Sequence, residues 1–275
     1  MEKKILNNGF RKEPAIIPKS IIEKYQVSAE EYSGRKIWKL SPKNSETGSI
    51  ILFFHGGAYY ANITSLHWRF IEQILSNINV KIVVPDYPLA PEATSKDIYQ
   101  FMVALYTKMI SDHPFGKIIF MGDSSGGGLA LGFAQKIKRE GIKQPEEIIL
   151  FSPWLDVSMS NPDIARVNKL DKILSVNGLK IAGEKYAGDW DVRDYRVSPI
   201  FGDFSGLGKI SIFIGTNEIF IADARKLRQM LEEQQIDFNY FEYKGMFHDW
   251  VIVNRLKETK DVIRWLSGYL KNRNT

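Results

Sequence analysis

Short apolar runs alternate with longer amphipathic stretches along most of the chain. Residues 49–54, 81–84, 117–121, 147–151 and 209–214 are compact and rich in Ile, Val and Phe, the pattern of strands buried on both faces. Residues 239–243 read as a further strand and 35–40 as an edge strand. Between these runs, 66–76, 96–110, 127–139, 223–234 and 257–270 carry apolar positions at helical spacing. Strand–helix alternation of this kind needs crossover connections, so it predicts an α/β fold with a mostly parallel central sheet flanked by helices. Two stretches fall outside the rhythm. Residues 1–34 precede the first core strand, and 157–200 separate two core strands by more than a crossover requires. Both are expected to form a small helical cap on a single domain spanning residues 1–275, with a peripheral elaboration as the alternative.

Composition narrows the classes. A chain of 275 residues with 44% hydrophobic and 25% charged positions can bury enough apolar surface to offset its ordering entropy. The formal net charge of +5 raises nucleic acid as a partner. The basic residues, however, are interleaved with acids, as in Lys136-Ile137-Lys138-Arg139-Glu140, and no run has the density of a nucleic-acid arm. The chain has no cysteine, which excludes disulfides, thiolate metal sites and a cysteine nucleophile. No apolar run is long enough to span a bilayer, and no apolar segment follows the charged start as in a secretion signal. The expectation is a soluble, cytoplasmic protein without nucleic-acid partner or membrane span. Its oligomeric state is open, a homodimer included.

The chemistry starts at Gly122-Asp123-Ser124-Ser125-Gly126, directly after one predicted strand and directly before a predicted helix. This is the G-x-S-x-G pattern in the strand–turn–helix setting it requires, where tiny residues two before and two after the serine let a sharp elbow close. The spacing selects Ser124, since Ser125 would be flanked by Asp123 and Gly127. A second glycine loop, His55-Gly56-Gly57-Ala58, ends the strand 49–54. Acyl transfer builds negative charge on a carbonyl oxygen, and fixed backbone N–H groups can bind it. The Ser125 N–H and N–H groups of the Gly56, Gly57, Ala58 loop are the candidates for such an oxyanion hole. Tyr59, Tyr60 and Trp154 lie close to these motifs and are candidates for lining an acyl or alcohol pocket, with core packing as the equal alternative.

A serine nucleophile needs a base and an orienting acid. Of the four histidines, His55 belongs to the glycine loop, while His67 and His113 read as surface positions. His248, in Gly245-Met246-Phe247-His248 after the last strand, stands where a Ser…acid…His order puts the base. The acid then falls on Glu218, just past the strand 209–214, ahead of Asp223, whose place at a helix start gives it a capping role of its own. Asp249 is too close in sequence to His248 to orient it.

With these motifs assembled, the chain resembles the bacterial hormone-sensitive-lipase-like esterases of the α/β-hydrolase superfamily. The match rests on His55-Gly56-Gly57-Ala58, Asp86-Tyr87-Pro88-Leu89-Ala90-Pro91-Glu92, Gly122 to Gly127 and Gly245 to His248, with shorter echoes in Ser152-Pro153-Trp154-Leu155-Asp156 and Ser198-Pro199. The resemblance implies a cofactor-free carboxylesterase with no metal, acting on small-molecule esters of short acyl chains. It also implies nucleophile Ser124, base His248, acid Glu218 and oxyanion donors at Gly57, Ala58 and Ser125. The departures are Ala58 for a third glycine, Pro88 for the arginine common in that block, and Glu218 where many members have aspartate. The same machinery could also cut an amide, a peptide or an acetylated sugar, or the fold could serve as a non-catalytic ligand binder.

Overall fold

The computed structural model describes residues 3, 5, 7, 9–43 and 48–272. Of the first predicted cap stretch, Met1, Glu2, Lys4, Leu6 and Asn8 lie outside the described residues. The apolar runs form strands because they can bury both faces at once. In β3 (Ser49–Phe54), Ile50, Leu52 and Phe54 enter one core cluster with Leu105, Phe133 and Leu227, while Ile51 and Phe53 enter a second with Trp68, Ile71 and Leu266. The strand therefore needs no polar face, and its sequence shows no alternation.

The sheet is built from β1 (Tyr25–Tyr32), β2 (Arg35–Pro42), β3, β4 (Lys81–Pro85), β5 (Lys117–Asp123), β6 (Glu147–Phe151), β7 (Lys209–Gly215) and β8 (Phe238–Tyr243). Their order is β1-β2-β4-β3-β5-β6-β7-β8, parallel from β4 to β8 and antiparallel at β1, β2 and β4. Helices α2 (Ser65–Asn77) and α8 (Lys257–Asn272) cover one face. Helices α3 (Ser95–Asp112), α4 (Ser125–Arg139) and α7 (Ile221–Glu233) cover the other. A short α1 (Lys19–Lys24) precedes the sheet, and α5 (Ile164–Val167), α6 (Val176–Ala187) and a 3-10 turn at Pro199–Phe201 fill the long β6–β7 connection. Among the described residues, no helix is long and apolar enough to cross a membrane.

One strand assignment is corrected. The run 35–40 is not an edge, because β2 sits between β1 and β4. The true edge is β1, paired with β2 in a hairpin from Tyr25 opposite Pro42 to Tyr32 opposite Arg35. Ser33 and Gly34 close it with φ of 50° and 71°, the left-handed pair that a tight hairpin turn demands. The strand β1 has no buried residue, so its polar sequence carries no apolar signal.

The parallel order brings the C-terminal ends of β3, β5, β6, β7 and β8 to one edge of the sheet, where ligands of open α/β sheets bind. Contact there is closest between β3 and the start of α4: a Cβ on Gly126 would lie 2.0 Å from the Phe54 carbonyl oxygen and 2.6 Å from that of His55. Gly126→Ala should therefore cost at least about 2 kcal/mol, because two backbones cannot yield as a side chain can. At Gly268, in the exposed interior of α8, a Cβ would meet nothing within 4 Å. Gly268→Ala should raise stability by about 0.5–1 kcal/mol. Urea denaturation of both variants checks the contrast.

Candidate active site

Strand β5 ends at Asp123 and α4 begins at Ser125, so Ser124 alone makes the turn between them. It does so at φ 52° and ψ −122°, a conformation costly for any residue with a Cβ. Three backbone bonds hold it there: Ser124 N–H to Phe151 at 2.9 Å, Gly128 N–H to Ser124 at 3.1 Å, and Trp154 N–H to Ser124 at 2.9 Å.

The three residues expected as nucleophile, base and acid come together in one hydrogen-bonded chain. His248 Nε2 lies 2.9 Å from Ser124 Oγ, and His248 Nδ1 lies 2.8 Å from Glu218 Oε2. Glu218 is fully buried, and its other oxygen accepts the Ser152 hydroxyl and the Gly215 N–H, each at 2.7 Å. Burial pushes the Glu218 carboxyl up, opposed by its bonds from His248, Ser152 and Gly215. Burial also disfavours charge on His248, but the Asp249 and Glu218 carboxylates outweigh it and hold its proton affinity well above the ordinary imidazole range. Ser152, directly after β6, is a site residue the motif reading missed. Its signal was its position, since it ends a strand at the same sheet edge as Ser124 and Glu218.

The glycine loop meets the elbow from the other side. Gly57, Ala58 and Tyr59 all have positive φ, and Tyr60 and Ala61 donate back to the Gly57 carbonyl at 3.0 and 2.9 Å. This turns the N–H groups of Gly57 and Ala58 away from the strand ladder. Among the described residues neither has an acceptor, and nor does the Ser125 N–H at the first turn of α4. Ser125 Oγ accepts the Tyr59 N–H at 3.3 Å and ties the two loops together. Gly56 must lack a side chain, because a Cβ there would sit 2.2 Å from Asp123 Oδ2.

A cavity of about 330 Å³ opens above Ser124 and His248. Gly57, Ala58 and Asp249 border it, and its apolar wall is Phe10 from the N-terminal stretch with Ile173, Leu174 and Leu179 from the β6–β7 connection. Tyr59, Tyr60 and Trp154 are not among its lining residues. They are buried in the core instead: Tyr59 stacks on Tyr186 at 3.5 Å, Tyr60 packs on Phe10 at 6.1 Å, and Trp154 stacks on Phe220 while donating to the Asp156 carbonyl. Among the described residues, no group of three His, Asp or Glu side chains is placed to hold a metal ion.

Two further expectations are corrected. His67 is a buried residue rather than a surface one: its Nδ1 accepts the Thr64 N–H at 3.0 Å in a capping box, and its Nε2 meets Asp123 Oδ2 at 3.0 Å. Asp223 stands in the first turn of α7 but caps nothing. It is buried, accepts Asn161 Nδ2 at 2.9 Å, and its carboxyl is pushed up to about 7 by burial. His55 has a structural place: it stacks on Tyr87 at 4.4 Å, and burial lowers its imidazole to about 4.

A serine at a strained strand–helix elbow, with a histidine and a carboxylate from later loops of the same sheet edge, defines a hydrolase. Known proteins agree. A family described as the alpha/beta hydrolase fold matches residues 51–252. An esterase of Acinetobacter venetianus is 29% identical over 208 residues, covering 74% of this chain and 68% of that protein. The hormone-sensitive lipase of Ictidomys tridecemlineatus is 24% identical over 163 residues, covering 56% of this chain and 21% of that protein. The crystal structure of a Staphylococcus aureus protein provisionally described as an esterase aligns with a TM-score of 0.88 at 26% identity, over 98% of this chain and 90% of that one. The chain belongs to the α/β-hydrolase fold family, in its hormone-sensitive-lipase-like branch, and is an ester-hydrolysing enzyme of the esterase/lipase type.

Asp223 generates a test of pH-dependent stability. An unfolded aspartate titrates near ~3.9, whereas the folded carboxyl titrates at about 7. Between these values only the folded state holds the proton, so the group's contribution to stability falls as pH rises from ~4 to ~7. Asp223→Asn removes this loss and leaves an oxygen for Asn161. The melting temperature of the variant should exceed that of the parent at pH 8, by a margin that shrinks at pH 5.

Proposed function

We propose that the chain is a serine carboxylesterase that hydrolyses small, short-acyl esters through an acyl-enzyme. The observation that carries this reading is the unbroken chain from Ser124 Oγ through His248 to buried Glu218, at the floor of a small apolar cavity. Ser124 Oγ attacks the ester carbonyl as His248 Nε2 takes its proton. The unpartnered N–H groups of Gly57, Ala58 and Ser125 receive the developing oxyanion, in a site where no bulk water has to reorganise. His248 returns the proton to the leaving alcohol, and water repeats the sequence on the acyl-enzyme. Glu218 holds the imidazole with its proton on Nδ1 and stabilises the imidazolium. Ser152 and the Gly215 N–H fix Glu218 in turn. Phe10, Ile173, Leu174 and Leu179 act as a cap whose wall limits the acyl group that fits.

Ser124→Ala should lower kcat by about 10³-fold or more while the melting temperature stays near that of the parent. A series of p-nitrophenyl esters from acetate to long acyl chains should give the highest kcat/KM at the short end. Retention of most of the activity in Ser124→Ala would remove the nucleophile assignment. The acid is tested separately. Glu218→Gln keeps the volume but removes the charge, so kcat should drop by orders of magnitude, whereas Asp223→Asn should change kcat far less. Steady-state kinetics on the two variants distinguishes them.

A further inference from the structure

The nitrogen of His248 that faces Ser124 has a second neighbour, one that the mechanism above leaves without a task. Asp249 Oδ2 lies 3.2 Å from Nε2, on the cavity side. His248 Nδ1 is committed as a donor to Glu218, so in the neutral imidazole Nε2 is an acceptor, with the Ser124 hydroxyl as its donor. An ionised carboxylate is also only an acceptor. Two such atoms at this distance repel each other, and a proton between them turns the contact into a charge-assisted hydrogen bond.

The surroundings keep Asp249 at this position and do not neutralise it. Its backbone is left-handed, at φ 56° and ψ 26°, between the buried His248 and Trp250, and its N–H reaches Ser152 Oγ at 3.4 Å. Its second oxygen, Oδ1, is buried and has no partner among the described residues. The titratable groups acting on His248 and Asp249 are Glu218 from the loop after β7, Asp123 from the end of β5 and His67 from α2. Asp123 is fully buried, with Oδ1 also unpartnered among the described residues. Against its burial, the Asp123 carboxylate pushes the His67 imidazole up, while the Thr64 N–H that His67 Nδ1 accepts favours the neutral ring donating from Nε2 to Asp123, so His67 offsets these acids only in part. Among the described residues, no lysine or arginine lines the cavity. Three carboxylates thus stand around two imidazoles.

We propose that His248 and Asp249 hold one proton between them in the resting enzyme, and that this proton must leave before Nε2 can take the one on Ser124. Asp249 is then a positioning residue for the proton, acting through the base. The inference rests on the reading of Ser124 and His248 as nucleophile and base. The proton is shared between Nε2, as imidazolium, and Asp249, as carboxyl, and the pair titrates as a unit. It passes to solvent base as the pH rises, leaving Nε2 bare and Asp249 ionised. Burial and the Asp123 charge raise Asp249, just as the two carboxylates raise His248, so both members of the pair favour retaining it. The consequence is an enzyme that is idle at the pH where a free imidazole would already be half deprotonated.

The test is an NMR titration of the full chain carrying ¹⁵N-labelled histidine, with the His248 signals assigned by their loss in His248→Gln. Asp249→Asn and Asp249→Gly are compared with the parent, because both residues tolerate the left-handed backbone and one of them should fold if the other does not. The His248 midpoint should lie above ~6.5 in the parent and fall by about one pH unit or more in the variants, a tenfold or larger loss of proton affinity. The acid limb of kcat/KM should move down by the same amount, whatever the height of its plateau. A purely structural role would change melting temperature and plateau without moving either midpoint. Midpoints that stay or rise in the variants overturn the proposal. The esterase reading fails on a different result, activity that survives Ser124→Ala, and the imidazole titration stands apart from that outcome because it needs no turnover.

Discussion

The arrangement depends on how closely the end of β3 can approach the start of α4. Gly126 lies directly against the Phe54 and His55 carbonyls, and Gly56 lies directly against the Asp123 carboxylate. Each contact would be lost to a single methyl group. Because the first is a backbone-to-backbone approach and the second sets a backbone against a buried side chain, together they fix the elbow and the glycine loop against each other with little freedom. Ser124 can stay in its strained conformation because Phe151, Trp154 and Gly128 bond to it from the neighbouring strand, the following loop and the helix. The side chain of Ser125 closes the same interlock through the Tyr59 N–H. The placement of Ser124 is thus a by-product of how tightly the chain packs around the elbow.

Electrostatics builds on that frame. Burial penalises every ionised group near Ser124, and the protein answers with carboxylates rather than with lysine or arginine. Glu218 is satisfied by three donors, so its charge is well solvated by the protein itself. Asp123 and Asp249 each keep one oxygen without a partner among the described residues. The site therefore has one fully bonded acid on the Nδ1 side of His248 and two less fully bonded acids elsewhere around it. This asymmetry gives the imidazole a fixed tautomer and a high proton affinity at once.

Much of this was legible in the residues. The five apolar runs, the helices between them and the elbow around Ser124 appear in the structure within a few residues of their sequence positions, because burial on both faces and a tiny-residue spacing leave direct marks in a chain. The features that escaped share a cause. The edge strand β1 owes its existence to a two-residue turn and to the partner β2, neither of which needs apolar side chains. His67 looks like a surface histidine until Asp123, 56 positions away, comes to lie against it. The Asp249 contact with His248 forms where the backbone of Asp249 is left-handed, a feature that sequence adjacency does not reveal. Asp223 reads as a cap from its helical position, but the partner it finds, Asn161, comes from the long β6–β7 connection. Tyr59 and Trp154 are adjacent to the motifs in sequence and yet point into the core. Pairings across long sequence distances, and the direction a side chain takes from a turn, are not written in composition or period.

The cavity has two kinds of border with different histories in the chain. Its floor is made by strand ends and the loops locked to them, whereas its apolar wall comes from Phe10 and from Ile173, Leu174 and Leu179, in segments that contribute no strand to the sheet. Ile173, Leu174 and Phe10 make none of the hydrogen bonds in the Ser124–His248–Glu218 chain. The wall and the hydrogen-bonded chain beneath it thus come from different segments of one polypeptide, so the shape of the chamber can be rewritten at side chains that make no bond to Ser124, His248 or Glu218.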